Sequence, residues 1–236
     1  MKILGIIPAR GGSKGIKNKN IVKLVNKPLI KYTIDSALES KKLTKIFVST
    51  DSPIIKNLSL TYGLDVPILR PKKLSGDNVP TIKVIHHVLN YLEKIKSFVP
   101  DIVTVLQPTS PLRNYKLIDQ SITQLQKSKA SSIIGVSKIK HHPFLSFSYE
   151  KNFLKPFKKN YEKYYQRQKF PPLFYPTGSI FTCWTKTIKK YNSLYGPKPK
   201  PLFINSIEVD VDDLFDLFTC EMLLKHWKKY NLKFKN

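Results

Sequence analysis

Cysteine is almost missing from this chain: Cys183 and Cys220 are the two among 236 residues. They form no Cys-x-x-Cys pair and both fall in apolar runs, so a zinc site or disulfide framework is not expected, and both read as small core residues. Long apolar runs are missing too. No stretch approaches the roughly 20 residues that cross a bilayer. The opening Met-Lys-Ile-Leu-Gly-Ile-Ile-Pro is too short for a secretory leader and no small-residue cleavage site follows it. A cytoplasmic protein without a membrane partner is the expectation. Acidic residues are scarce, 16 Asp and Glu against 41 Lys and Arg, for a formal net charge of +25. Such a balance attracts polyanions. The excess, however, is mostly lysine spread along the chain, with no zinc-finger spacing, recognition-motif aromatics or basic zipper, so a nucleic-acid partner is not expected. The five histidines lack metal-ligand spacing, and there are no internal repeats.

What is present begins at the amino terminus. Residues 6–20 read Ile-Ile-Pro-Ala-Arg-Gly-Gly-Ser-Lys-Gly-Ile-Lys-Asn-Lys-Asn, directly after the start of a short apolar strand. Glycines where a buried strand leaves a sheet let backbone N–H groups turn onto phosphate oxygens, while Arg10, Lys14 and Lys19 supply charge. The common P-loop spacing and the dinucleotide fingerprint are both absent. A nucleoside triphosphate cradle follows as the first hypothesis.

Lys2–Pro8, Lys45–Ser49 and Asp101–Leu106 read as buried strands, with helical periodicity over Pro28–Glu39 and Thr81–Ile95. Strands alternating with helices predict an α/β fold: a mainly parallel sheet with helices on both faces, whose ligands sit at the carboxyl ends of the strands. That rule brings residues 10–20, Thr50-Asp51 and Gln107–Arg113 to one rim. Residues 138–174 break the pattern and read as an insertion in a single domain spanning 1–236. Leu202–Val211 reads as a last strand and Leu214–Tyr230 as a closing amphipathic helix. Asp210 and Asp212 alternate on that expected strand and so point to one side. Two hard oxygen ligands near a triphosphate suit Mg²⁺, whereas Asp213 suits the cap of the following helix.

The run Pro8-Ala9-Arg10-Gly11-Gly12-Ser13-Lys14-Gly15 with Lys19-Asn20 resembles the signature loop of the sugar-acid cytidylyltransferases, most of all the N-acylneuraminate type with its legionaminic and pseudaminic relatives. Leu106–Arg113, Tyr175-Pro176-Thr177-Gly178-Ser179-Ile180 and Asp210-Val211-Asp212-Asp213 with Asp216 agree in order and spacing. The resemblance implies a Rossmann-like nucleotidyltransferase fold that joins CTP to a nonulosonic acid, yielding the CMP-sugar acid and pyrophosphate. It implies that Arg10, Gly11, Ser13, Lys14, Lys19, Asn20 and Arg70 hold the nucleotide. Gln107, Arg167 and Thr177 would meet the sugar acid, and Asp210 and Asp212 would hold Mg²⁺. Lys14, Arg10 and Asp210 are the catalytic candidates. It also implies that 138–174 forms an arm that builds a homodimer. Relatives generally carry Asn-Gly-Ala where this chain has Thr177-Gly178-Ser179. The 3-deoxy-octulosonate branch usually shows a different pattern in place of Gly11–Gly15, and the pseudaminic branch commonly has Arg-Ile-Pro where this chain reads Gly15-Ile16-Lys17. The octulosonate enzyme, and a basic nucleic-acid-binding protein on a nucleotide-binding fold, stand as alternatives.

Overall fold

A computed structural model describes residues 1–64, 66–158 and 169–233. In chain order its elements are β1 (Ile3–Pro8), β2 (Lys23–Leu24), β3 (Lys27–Pro28), α1 (Leu29–Leu38), β4 (Lys45–Ser49), α2 (Pro53–Thr61), α3 (Thr81–Lys96) and β5 (Ile102–Val105). Then come α4 (Tyr115–Gln126), β6 (Ser132–Lys138), β7 (Phe147–Glu150), β8 (Phe153–Pro156), β9 (Phe174–Trp184), α5 (Thr185–Tyr191), β10 (Pro199–Phe203) and α6 (Leu214–Lys233). The three amino-terminal strands and both helices expected from the periodicity are present, within a residue or two at each end.

Six strands form the main sheet in the order β10-β6-β9-β5-β1-β4. β1 pairs in parallel with β4 and β5, and β10 in parallel with β6, while β9 runs antiparallel between β5 and β6. The two-residue period of a strand sends alternate side chains to opposite faces. Ile3 and Ile7 therefore meet Ile30 and Ile34 of α1, Ile55 of α2 and Ile118 and Ile122 of α4. Leu4 and Ile6 meet Ile85, Val88, Leu89 and Leu92 of α3 and Ile188 of α5. Helices thus cover both faces, as the alternating pattern predicts. Among the described residues no helix is long and apolar enough to cross a membrane.

Two expectations need correction. The last strand ends at Phe203, not Val211, and the chain from 204 to 213 is irregular. Pro199 and Pro201 lie in this edge strand, where a missing N–H is tolerated. The closing helix is not a buried stripe: Cys220 and Leu217 pack on the third core cluster, but Leu214, Phe215 and Phe218 are 68%, 74% and 58% exposed. Within the insertion, β7 and β8 form a separate antiparallel hairpin. Its Lys151-Asn152 turn has φ of 49° and 66°, the left-handed pair that matches strand twist in a two-residue hairpin.

Candidate active site

β4, β1 and β5 are neighbours and parallel, so the segments that leave their carboxyl ends share one rim. After β1 the glycine loop is tied at both ends. Gly11 donates its N–H to Asp51 Oδ1 at 2.8 Å, and the buried Asn20 amide donates to the Arg10 carbonyl at 2.8 Å. A 3-10 turn at Lys19–Ile21 closes the loop. Asn20 thereby fixes the cradle's shape while also lining the cleft.

The late aspartates reach this loop without a strand to carry them. Val211 is fully buried and donates its N–H to the Thr109 carbonyl at 2.7 Å, which pins the irregular segment beside the β5 loop. With Val211 turned inward, its neighbours Asp210 and Asp212 both line the cleft. Lys19 Nζ lies 2.8 Å from Asp212 Oδ1. The backbones touch as well: a β-carbon on Gly15 would lie 2.3 Å from the Asp212 carbonyl oxygen, so only glycine admits this approach. Asp213 caps α6 as expected. It accepts from the Asp216 N–H at 2.9 Å, while Asp216 accepts from the N–H groups of Asp212 and Asp213 at 3.0 and 3.1 Å. Asp210 keeps an open side toward solvent. Even so, desolvation by the surrounding protein raises its carboxyl above the ordinary aspartate range, with Asp212 adding to the rise and Thr109 and Lys19 opposing it.

The third wall comes from a bulge. Ile134 stands opposite Phe181 but Val136 opposite Pro176, so residues 177–180 of β9 face Gly135 alone. The extra residues push Gly178 outward at φ +77°, and a β-carbon there would lie 2.7 Å from Gln107 Oε1 and 3.0 Å from Asp210 Oδ2. Gln107 and Asp210 therefore converge over a residue that has no side chain. Arg113, 4% exposed, holds the two flanks together: it donates to the Gln107 carbonyl at 3.1 Å, the Ser179 carbonyl at 2.6 Å and Thr33 Oγ1 at 2.6 Å. Burial pulls its guanidinium down to about 10, still protonated at neutral pH. Arg113 thus supports the loop that carries Gln107.

The cleft so formed has a volume of about 370 Å³. Arg10, Ser13, Lys19, Asn20, Arg70, Gln107, Asp210 and Asp212 line it, which unites most of the residues expected from sequence. Arg70 is 6% exposed, so it is not a plain surface charge; desolvation lowers its pKa, Asp51 Oδ1 lies 3.8 Å from its Nη2, and among the described residues its Nε and Nη2 have no hydrogen-bond partner. Gly11 contributes backbone rather than lining. Lys14 stands at the rim with its side chain 83% exposed, 3.3 Å from Asp77. Thr177 departs from expectation. It is buried, and its hydroxyl lies 2.7 Å from the Ser179 hydroxyl rather than in the cleft, because the bulge turns Gly178 and not Thr177 outward. Arg167 lies outside the described residues. Glu208, behind this wall, has a buried Oε2 that finds no hydrogen-bond partner among the described residues, and burial raises its carboxyl. Asp77, Thr81 and Thr109 also line the cleft and were not singled out from sequence. Only Thr109, inside the Gln107–Arg113 motif, carried a signal that could have found it.

With this geometry in place, comparison with known proteins is informative. A family model described as cytidylyltransferase matches residues 4–190. The chain is 37% identical over 232 residues to the CMP-N,N'-diacetyllegionaminic acid synthase of Legionella pneumophila, covering 95% of this chain and 97% of that protein. It is 34% identical over 197 residues to an N-acylneuraminate cytidylyltransferase of Streptococcus agalactiae, covering 83% of this chain but 46% of that longer protein. In fold it is similar to a solved CMP-2-keto-3-deoxy-manno-octonic acid synthetase complexed with CTP, with a TM-score of 0.71 at 14% identity, covering 96% of this chain and 100% of the other.

Proposed function

The chain belongs to the cytidylyltransferase family, and from that premise we propose that it activates a nonulosonic acid with CTP, releasing pyrophosphate. The observation that carries this reading is the meeting of the glycine loop with Asp210 and Asp212 across one cleft, with Gln107 over Gly178 between them. The identity with the legionaminic acid synthase spans nearly both chains, which favours a diamino nonulosonic acid of that kind, with N-acetylneuraminate as the next candidate.

The anomeric hydroxyl forms a bond to the α-phosphorus as the bond to the bridging oxygen breaks and pyrophosphate leaves. Arg10, Lys14 and Lys19 neutralise phosphate charge, and the donors of Arg70 face the nucleotide. Gln107, offering both an amide donor and an acceptor, reads sugar hydroxyls. In this reading Asp210, beside Gln107, takes the hydroxyl proton. Its desolvated carboxyl and the hard oxygens of Asp212 fit a magnesium ion. Among the described residues no cluster of three or more acidic, His or Cys side chains forms a denser metal site. A magnesium ion held there would supply charge neutralisation at the phosphates. The exposed Phe147, Tyr149, Phe153, Leu154 and Phe157 of the β7–β8 hairpin support a homodimer in which they are covered. A monomeric mass by light scattering at micromolar protein would remove that part.

The test is pyrophosphate release from CTP over a panel of sialic, legionaminic, pseudaminic and octulosonic acids. One nonulosonic acid should support turnover. No release with any of them refutes the reading. Near-normal turnover of Asp210→Ala or Asp212→Ala at saturating Mg²⁺ refutes the ligand assignment.

A further inference from the structure

Arg10, Lys14 and Lys19 of the glycine loop each have an acidic partner from elsewhere in the chain. Lys19 has Asp212. Arg10 and Lys14 share one carboxylate: Asp77 Oδ1 lies 2.5 Å from Arg10 Nη1, and Asp77 Oδ2 lies 3.3 Å from Lys14 Nζ. Asp77 belongs to neither the loop nor the strands beneath it. It sits between the 3-10 turn at Lys72–Leu74 and α3, on a connection whose Gly76 and Val79 line the cleft together with Leu74 of the turn. Its two oxygens thus span the same two cations that a phosphate chain would engage.

We propose that Asp77 is a specificity-determining counter-ion that competes with phosphate groups for Arg10 and Lys14, reserving this cation pair for polyphosphate ligands and reclaiming it as pyrophosphate leaves. Two partners cannot occupy the same donors of Arg10 at once, so a phosphate that binds there displaces the carboxylate. A single phosphate brings little more charge than the carboxylate it replaces. A triphosphate brings several oxygens and more negative charge, and wins. The side chains of Arg10 and Asp77 are 32% and 34% exposed, so water screens their attraction and keeps the pair displaceable. Hydrogen bonds from Arg10 and Lys14 hold the Asp77 carboxyl below its usual range.

This inference rests on the cytidylyltransferase reading only in taking a polyphosphate as the ligand, and its test needs no turnover. Calorimetric titration of the full chain with inorganic tripolyphosphate, pyrophosphate and cytidine compares wild type with Asp77→Asn and Asp77→Ser. Both variants should bind tripolyphosphate and pyrophosphate about three- to tenfold more tightly than wild type, the range expected for losing partly exposed ion pairs. The gain should shrink at about 0.5 M salt, and cytidine affinity should not change. Unchanged or weaker polyphosphate binding in a variant that melts like wild type overturns the proposal. An equal gain for cytidine overturns it too, since that would mark a rearranged wall. Absence of turnover with every sugar acid would sink the proposed function and leave this comparison readable.

Discussion

Replacing Gly178 by alanine tests the site at its tightest point. The backbone there has φ +77°, a left-handed conformation that costs a residue with a β-carbon about 1–2 kcal/mol. The new methyl would also lie 2.7 Å from Gln107 Oε1 and 3.0 Å from Asp210 Oδ2. Both obstacles are side-chain ends, so the fold survives while the two groups move by several tenths of an ångström. A displacement of about 1 Å can cost about 100-fold in rate, so a shift of this size should lower kcat/KM for the sugar acid by roughly 10- to 100-fold. Urea denaturation should show a lower midpoint at unchanged slope. Because Arg10, Ser13, Lys19 and Arg70 lie on other walls, CTP affinity measured without metal should stay within about twofold. The assay is pyrophosphate release with the sugar acid varied at saturating CTP. Wild-type kcat/KM, or a loss confined to CTP affinity, would refute the claim that Gly178 admits Gln107 and Asp210 to one point.

Arg113→Met removes donors from the carbonyls of Gln107 and Ser179 and from Thr33. Stranding buried acceptors costs about 1–3 kcal/mol each, so chemical denaturation should report a loss of about 3 kcal/mol or more; a loss under 1 would contradict the bridging role. Asp35 gives a pH test away from the site. Burial raises its carboxyl, but hydrogen bonds from Lys27 and Lys31 win and leave it lowered. A depressed folded value stabilises above the unfolded value and is lost as pH falls through the folded one. The stability gap between wild type and Asp35→Asn should therefore be full at neutral pH and close below the ordinary aspartate range near 3.9; a gap that widens on acidification would reverse the sign. Gly15→Ala should drive the loop off the Asp212 carbonyl and weaken CTP binding at least about tenfold, by the same logic of displaced groups; unchanged binding would mean the two walls need not touch.

Much of this was legible because local signals and tertiary structure agreed. The runs that became β1, β4 and β5 are buried on both faces, so continuous apolar sequence marked them. The glycine loop and Asp210/Asp212 were legible as motifs, although their contact through Gly15 was not. Other features depended on distant partners. The insertion of β9 between β5 and β6 is a pairing choice that no local pattern records. The bulge that turns Thr177 inward exists only relative to β6. The hairpin turn uses Lys151-Asn152 instead of a glycine-containing pair, so the usual signal was missing. Asp77 lies on a connection without periodicity, and its partners are more than 60 positions away in the chain.

The composition of β10 bears on how copies of this protein can meet. Ile204 donates its N–H toward β6 at 2.9 Å, so by the two-residue period positions 199, 201 and 203 turn theirs outward. Two of those three are prolines, and the Pro201 carbonyl already accepts from the Gln124 amide at 3.2 Å. A further strand docking on this margin would find Phe203 alone offering an amide hydrogen. Growth of the sheet from one molecule into the next is therefore blocked on this side.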